Sequence, residues 1–276
     1  MIGEHVKNKL LAADWVLVNS SAGKDSQASL DYVVAECDTL GIPRERIVVV
    51  HADLGAMEWE GTRELAEEQA ARYGLRFVAV SRRTAAGVAQ TLLEQVRERG
   101  KWPASKQRYC TSDHKRAPIR RAMTMLAKET RAAKGKHHVC VIVNVMGLRA
   151  EESAGRAAKP AWEYAEDASN GVRSVYNWLP IHGWTEAQVW ERVKASGVRH
   201  HRAYDLGMPR LSCCFCIFAS REALIIAGHH NRALLKQYAD TERAIGHKFR
   251  MSLSMVEVET AVNAGECPTA VPAWTM

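Results

Sequence analysis

The chain has 276 residues, 47% hydrophobic and 25% charged, with 38 lysines and arginines against 31 aspartates and glutamates. This is the composition of an ordinary globular protein, one large domain or a domain with a small appendage, and it excludes disordered and collagen-like chains. The net charge of +7 suits a polyanionic partner such as nucleic acid as readily as a nucleotide pocket on a basic surface. No apolar run has transmembrane length and Met1–His5 lacks a signal-peptide layout, so a cytoplasmic protein without a membrane partner is expected.

Met1 to Asp14 reads as a short lead-in helix. The apolar run Trp15–Val18 reads as a buried parallel strand; it stops at a small polar turn, and from Gln27 to Leu40 apolar residues return at helical spacing. A strand turning through Ser21-Ala22-Gly23 into a helix aims backbone N–H groups and the positive helix end at one point, which receives phosphate. Gly23 supplies close backbone approach, Lys24 a point charge, and Ser21 and Ser26 hydroxyl donors. Asp25 repels a phosphate unless it caps the helix or helps hold Mg²⁺. The alternative is an N-capped helix and nothing more.

Gly41-Ile42-Pro43 breaks the chain, and Arg46–Asp53 follows as a second buried strand. Asp53 ends it where doubly wound sheets hold ligands, which suits a ribose, adenine or magnesium contact, or equally a helix start. Glu58–Tyr73 reads as an amphipathic helix, Arg76–Val80 as a strand and Ala85–Arg99 as a helix. The stretch Lys106–Ile119 reads as a basic loop entering a helix, where Arg108, Lys115 and Arg116 favour the Cys110 thiolate. Lys134–His138 is a soft boundary before the strand Val139–Val145. Alternation at this spacing makes βαβ units and a parallel sheet. Beyond it Arg149 and Arg156 flank Glu151 and Glu152; such arginines can clamp phosphate or sulfate, although spacing alone favours ion pairs on a helix surface.

The segment Ser20–Ser26 lacks the Walker spacing. It resembles the Ser-Gly-Gly-Lys-Asp-Ser loop of the PP-loop ATP pyrophosphatases and sulfonucleotide reductases, with Ala22 at a usual glycine. Gly147–Arg156 is similar to the Gly-Ile/Leu-Arg-x-x-Glu-Ser segment of phosphoadenosine phosphosulfate (PAPS) reductases. Tyr176–Ile181 looks like the strand before the next family block, Gly183–Trp190, which has Gly183 and Gln188 at usual aspartates and Thr185 as N-cap. The likeness runs from Val16 to about Ala219. It implies an α/β fold with a doubly wound, mostly parallel sheet of the adenine nucleotide α-hydrolase type in residues 1–219, and a helical extension in 220–276. It also implies ATP and Mg²⁺, with phosphates on Ser21, Ala22, Gly23, Lys24, Asp25 and Ser26 and with Asp53 among the nucleotide contacts. Lys24, Asp25, Arg149 and Arg156 are the implied catalytic residues: ATP is cleaved at the α-phosphate and an adenylylated acceptor is attacked by sulfur.

Seven cysteines, three of them within Cys213–Cys216, point to metal or redox chemistry rather than disulfides. Cys213 and Cys216 form a Cys-x-x-Cys able to reach one metal centre; Cys110 is the best third ligand, and the fourth is Cys214, Cys267 or a non-protein group. The single-cysteine segment Arg108-Tyr109-Cys110-Thr111 is closer to the Dnd-type sulfur-transfer proteins of DNA phosphorothioation than to the Cys-Cys pair of adenylylsulfate reductases. That likeness implies a [4Fe–4S] cluster, with zinc second, a sulfur-donor protein or thiol, and DNA as acceptor; a homodimer is the assembly considered. The first rival is a sulfonucleotide reductase using Cys267, although Glu266-Cys267-Pro268 departs from that family's Glu-Cys-Gly-Leu-His tail. The second is a nucleotide-binding subunit with a structural metal. Arg221–Ala264 reads as helical with a basic side, either a nucleic-acid face or a solvated exterior. In His137-His138, His200-His201 and His229-His230, at most one of each pair points inward.

Overall fold

The computed structural model describes residues 2–272; Met1, where the lead-in helix was expected to start, and 273–276 lie outside them. In chain order the first half contains α1 (Glu4–Ala12), β1 (Trp15–Ser20), α2 (Lys24–Thr39), β2 (Ile47–Ala52), α3 (Thr62–Ala71), β3 (Arg76–Val80), α4 (Leu92–Arg99), α5 (Tyr109–Thr111) and α6 (Ala117–Lys134). The second contains β4 (Cys140–Val145), α7 (Ala154–Ala157), β5 (Trp162–Tyr164), β6 (Arg173–Trp178), α8 (Glu186–Ser196), α9 (Arg221–His230), α10 (Arg232–Ile245) and α11 (Met255–Asn263). The described residues pack as two units interleaved in sequence: 2–52, 63–80 and 118–200 in one, 53–62, 81–117 and 201–272 in the other.

The first unit holds the whole sheet, ordered β3-β2-β1-β4-β6-β5, with every pairing parallel except β5 with β6. Its central strands are continuous apolar runs because both faces are covered. Val16, Val18, Val49 and Val143 pack on one face with Leu30 and Val33 of α2. Leu17, Val48, Ile142 and Val175 pack on the other with Met123 and Leu126 of α6. The chain leaves β1 toward β2 on one side and joins β4 on the other, so the sheet reverses its winding between β1 and β4, where open α/β sheets receive ligands. Near the strand ends one face turns polar. Asn19 donates to Asn144 at 2.7 Å, Asn144 to Asn177 at 2.8 Å and Asn177 to Glu163 at 2.9 Å. A row in which each amide is satisfied by the next strand avoids the cost of unpaired buried polar groups.

The second unit is helical around an aromatic core, with Tyr238 stacked on Trp102 at 5.2 Å and Phe215 5.0 Å from Tyr238. A cut at 219/220 is not a packing boundary: Cys214 and Phe215 before it share one core with Leu224 and Tyr238 after it. Nor is Lys134–His138, where Lys134, His138 and the Val141 N–H all donate to Asp14 within the sheet unit.

Several element ends differ from expectation for local reasons. The Glu58–Tyr73 helix begins only at Thr62, because Gly61 before it is left-handed at φ 85°. The Ala85–Arg99 helix begins at Leu92, where Thr91 and Glu94 form a reciprocal capping box. The expected basic loop is helical from Tyr109, with a π turn over Ser112–Arg116. The strand expected at Tyr176–Ile181 is β6, three residues earlier at each end (Arg173–Trp178). No helix among the described residues is long and apolar enough to cross a membrane.

Candidate functional site

The turn after β1 is braced by its own side chains. Ala22 N–H donates to Ser20 Oγ at 3.2 Å, and Ser21 N–H to Ser26 Oγ at 3.2 Å. Ser26 Oγ in turn donates to the Gly23 carbonyl at 2.9 Å, so its proton serves the loop. The left-handed residue is Ala22, at φ 56°, whereas Gly23 is extended (φ −78°, ψ 161°) and begins α2 with no side-chain cap. Backbone latitude is therefore used one residue earlier than expected. The uncapped first turn of a 16-residue helix leaves a positive helix end at the switch point. His51, which the sequence reading passed over, is buried in β2 and donates from Nδ1 to the Ser20 carbonyl at 3.0 Å. Its one signal was a polar residue ending the apolar run Ile47–Val50.

Lys24 is buried, with Nζ 3.3 Å from Glu186 and 3.8 Å from Asp25. Asp25 accepts from Arg149 Nε at 2.5 Å, and Arg149 Nη1 donates to Glu151. Burial works against the Arg149 charge, but Asp25 and Glu151 outweigh it and hold the pKa above the ordinary arginine value. Arg149 thus ties the segment after β4 to the first turn of α2. Gly147 makes that approach sterically possible, since a Cβ there would lie 2.7 Å from the Asp25 carbonyl oxygen and 3.0 Å from Ser26 N. Arg156 is half-buried and paired with Glu152, which also accepts from Arg149 N–H at 3.0 Å. The structure joins Lys24, Asp25 and Arg149, and leaves Arg156 one carboxylate away. Asp53 belongs to the other unit, where its carboxylate accepts from Gly55 N–H at 2.8 Å, as a turn-forming aspartate does.

In the helical unit Cys110, Cys213 and Cys216 interact electrostatically with one another and with Lys115 of the π turn. Lys115 is held above its ordinary pKa chiefly by Cys213, with Glu58, Cys216 and Cys110 adding to it. The expected preference of Cys110 for thiolate does not follow. Burial pushes its pKa up, Cys213 adds to this, and Lys115 only partly opposes them. Cys213 is pushed up to about 11, again by burial first. Such thiols are protonated at neutral pH, and a metal bound there must displace the protons. Of the two protein candidates for a fourth ligand, Cys214 interacts electrostatically with Cys213. Cys214 is buried in the apolar core, its N–H donating to the Met57 carbonyl at 2.9 Å. Cys267 is exposed, 3.9 Å from His229 Nε2.

The basic side of α9–α11 is largely neutralised: Arg221 pairs with Glu266, Lys236 with Asp240, Arg243 with Asp240 and Glu259, and Lys248 with Glu257. Of the histidine pairs, His201 is buried and bonded to Thr62 at 3.2 Å, and His138 pairs with Asp14 while His137 is exposed.

The family model described as phosphoadenosine phosphosulfate reductase domain matches residues 16–219. An uncharacterised 37.8 kDa protein of Escherichia phage 186 is 32% identical over 126 residues, 46% of this chain and 34% of that one. The adenosine 5'-phosphosulfate reductase of Allochromatium vinosum is 36% identical over 72 residues, 26% of each chain. That of Neisseria meningitidis serogroup B is 39% identical over 70 residues, 25% of this chain and 26% of that one. The chain therefore spans 34% or less of the length of these relatives. Among solved structures, PAPS reductase from Candida auris in its phosphate complex is similar at TM-score 0.49 and 18% identity, covering 75% of this chain and 87% of that one. The family match begins in β1, takes in the Ser20–Ser26 turn and the Gly147–Arg156 segment, and ends just past Cys216: the chain belongs to the phosphoadenosine phosphosulfate reductase domain family.

Proposed function

We propose that the chain binds an adenine nucleotide with its phosphates against Ser21–Ser26 and cleaves ATP to AMP and pyrophosphate to activate an acceptor for sulfur transfer. The observation that carries this reading is the uncapped N-terminus of α2 at the winding reversal, with Lys24 buried beside it. An acceptor oxygen attacks the α-phosphorus, pyrophosphate leaves with the bonding electron pair, and a sulfur nucleophile then displaces AMP. Lys24 and the loop amides stabilise charge that develops on the phosphates, and they are preorganised because Ser20, Ser26 and Arg149 already hold the loop. Mg²⁺ enters with the nucleotide. Arg149 and Arg156 bind a substrate anion by giving up Glu151 and Glu152. The sulfur comes from a donor protein or thiol.

Cys110, Cys213 and Cys216 suit a thiophilic centre, with Lys115 offsetting the charge of the sulfurs. On the likeness to the Dnd-type proteins, [4Fe–4S] is taken ahead of zinc for this centre. Such a cluster, when bound, would supply sulfur or electron handling, with Cys214, Cys267 or a non-protein group as its fourth ligand.

The stretches 36% and 39% identical to adenosine 5'-phosphosulfate reductases favour one second reading, a sulfonucleotide reductase in which the loop holds the substrate and Cys267 is the nucleophile. Calorimetric titration with ATP and with adenylylsulfate separates the two. ATP should bind, and Lys24→Ala should weaken it at least ~10-fold, since a charge-assisted contact contributes about 1.5–3 kcal/mol. Exclusive binding of adenylylsulfate, with turnover abolished in Cys267→Ser, would replace this reading with the reductase.

A further inference from the structure

Positive charge in the helical unit is distributed unevenly once pairing is considered. On α9 and α10 Arg221, Lys236 and Arg243 pair with carboxylates, and Arg232 alone meets Asn263 and His229 instead. The segment 99–116 carries six cations against one carboxylate, Asp113, which is taken by Arg82 and Gln95. Arg99, Lys101, Lys106, Arg108 and Arg116 are all exposed, and among the described residues none of them forms an ion pair. Glu98, just before the segment, accepts from Gln90. Unpaired cations concentrated on one stretch repel one another, which costs stability unless an anion arrives.

Local geometry presents these charges outward. Arg99 lies over the Tyr109 ring at 4.5 Å and Arg108 over Phe218 at 5.5 Å, which restrains both guanidinium planes. Lys106 stands on a tight turn closed by reciprocal backbone bonds between Ala104 and Gln107. Cys110 follows Arg108 by two residues, and Phe218 follows Cys216 by two, so the stretch borders the thiols. We propose that the segment 99–116 is the docking surface for a nucleic-acid backbone, held through its phosphodiesters without reading its bases. Its use as the sulfur acceptor's surface rests on the sulfur-transfer reading; the binding itself does not. A phosphodiester strand is favoured over a small anion because the charges stand on separate supports, Arg99 on the Tyr109 ring, Arg108 on the Phe218 ring and Lys106 on the 104–107 turn, and a backbone offers a phosphate to each.

The test is fluorescence polarisation of the purified protein with labelled duplex DNA and with the matching single strand, across a salt series. With about five phosphate contacts, log K should fall with log salt at a slope of about −4 to −5 for the duplex, a loss of several hundredfold between about 50 and 200 mM. Lys101→Ala/Lys106→Ala/Arg116→Ala should lower that slope by about three, and Lys106→Ala alone by about one, if its melting curve matches wild type. Lys236→Ala/Arg243→Ala should leave it unchanged. Lys24→Ala should lose ATP and keep the oligonucleotide, so failure of the nucleotide reading and of this one are separable. A preference for the duplex or the single strand tells which form fits, and either supports the proposal. No binding of either at low salt, an unchanged slope in the triple variant, or equal competition by polyglutamate would overturn it; the last result would assign the surface to an acidic protein.

Discussion

Ala22 is the one non-glycine with positive φ among the described residues, and it sits where the family's phosphate loops usually carry glycine. Holding an L-residue in that region costs about 1 kcal/mol. Ala22→Gly should therefore stabilise the protein by no more than about 0.5 kcal/mol once the entropy of the extra glycine is subtracted, read as a rise in denaturant midpoint at unchanged slope. A fall in midpoint would mean that the methyl group, which is fully buried, contributes more by packing than the backbone loses. Gly147 is the opposite case, because there a single methyl collides with backbone of α2. Gly147→Ala should leave a folded protein whose ATP affinity drops at least ~10-fold, since displacement of the loop amides removes preorganised contacts. Unaltered affinity in calorimetry would dissociate the loop's geometry from binding. The importance of Gly147 was legible in its family block. The partner of Asp25 was not, because Arg149 lies 124 positions away and no local period connects them.

Capping decides what periodicity leaves open at the scale of elements. Thr185 with Gln188 starts α8 where the sequence places it, and the substitution of Gln188 for aspartate keeps the capping box. The same kind of box at Thr91 and Glu94 starts α4, and here apolar spacing from Ala85 onward misled because it ignored that signal. The helical turns from Tyr109 to Arg116 escaped for a different reason: polar, basic composition reports exposure, which a helix tolerates as well as a loop. Between α1 and β1, Asp14 anchors three donors from the α6–β4 connection. Burial raises its pKa, but Lys134, His138 and the Val141 amide outweigh that and hold it below 3.8. A carboxyl depressed in the fold stabilises it fully above its unfolded pKa, about 3.9, and that stability is lost as pH falls through the lower folded value. Asp14→Asn should lower stability at neutral pH and flatten the acid limb below about pH 4. An acid limb identical to wild type in pH-dependent melts would show that Asp14 is not a source of it.

Across the whole molecule, the parallel sheet and its order of winding follow from strand–helix alternation, and the family from separated blocks that spacing alone would not have connected. What sequence order hid is the interleaving. Cys110 and Cys213 are more than 100 positions apart yet interact within one unit, and Asp53, next to β2 in sequence, falls in the same unit as they do. Composition reported a net charge of +7 without its pairing, and pairing moves the unbalanced charge from the C-terminal helices to the segment 99–116. Product analysis with ATP labelled separately at the α- and γ-phosphates reads directly which bond the protein breaks. With Mg²⁺, sulfur donor and DNA present, the label should be released as AMP and pyrophosphate, and this release should be lost in Lys24→Ala. Release of ADP and phosphate, or AMP formation that survives Lys24→Ala, would contradict it.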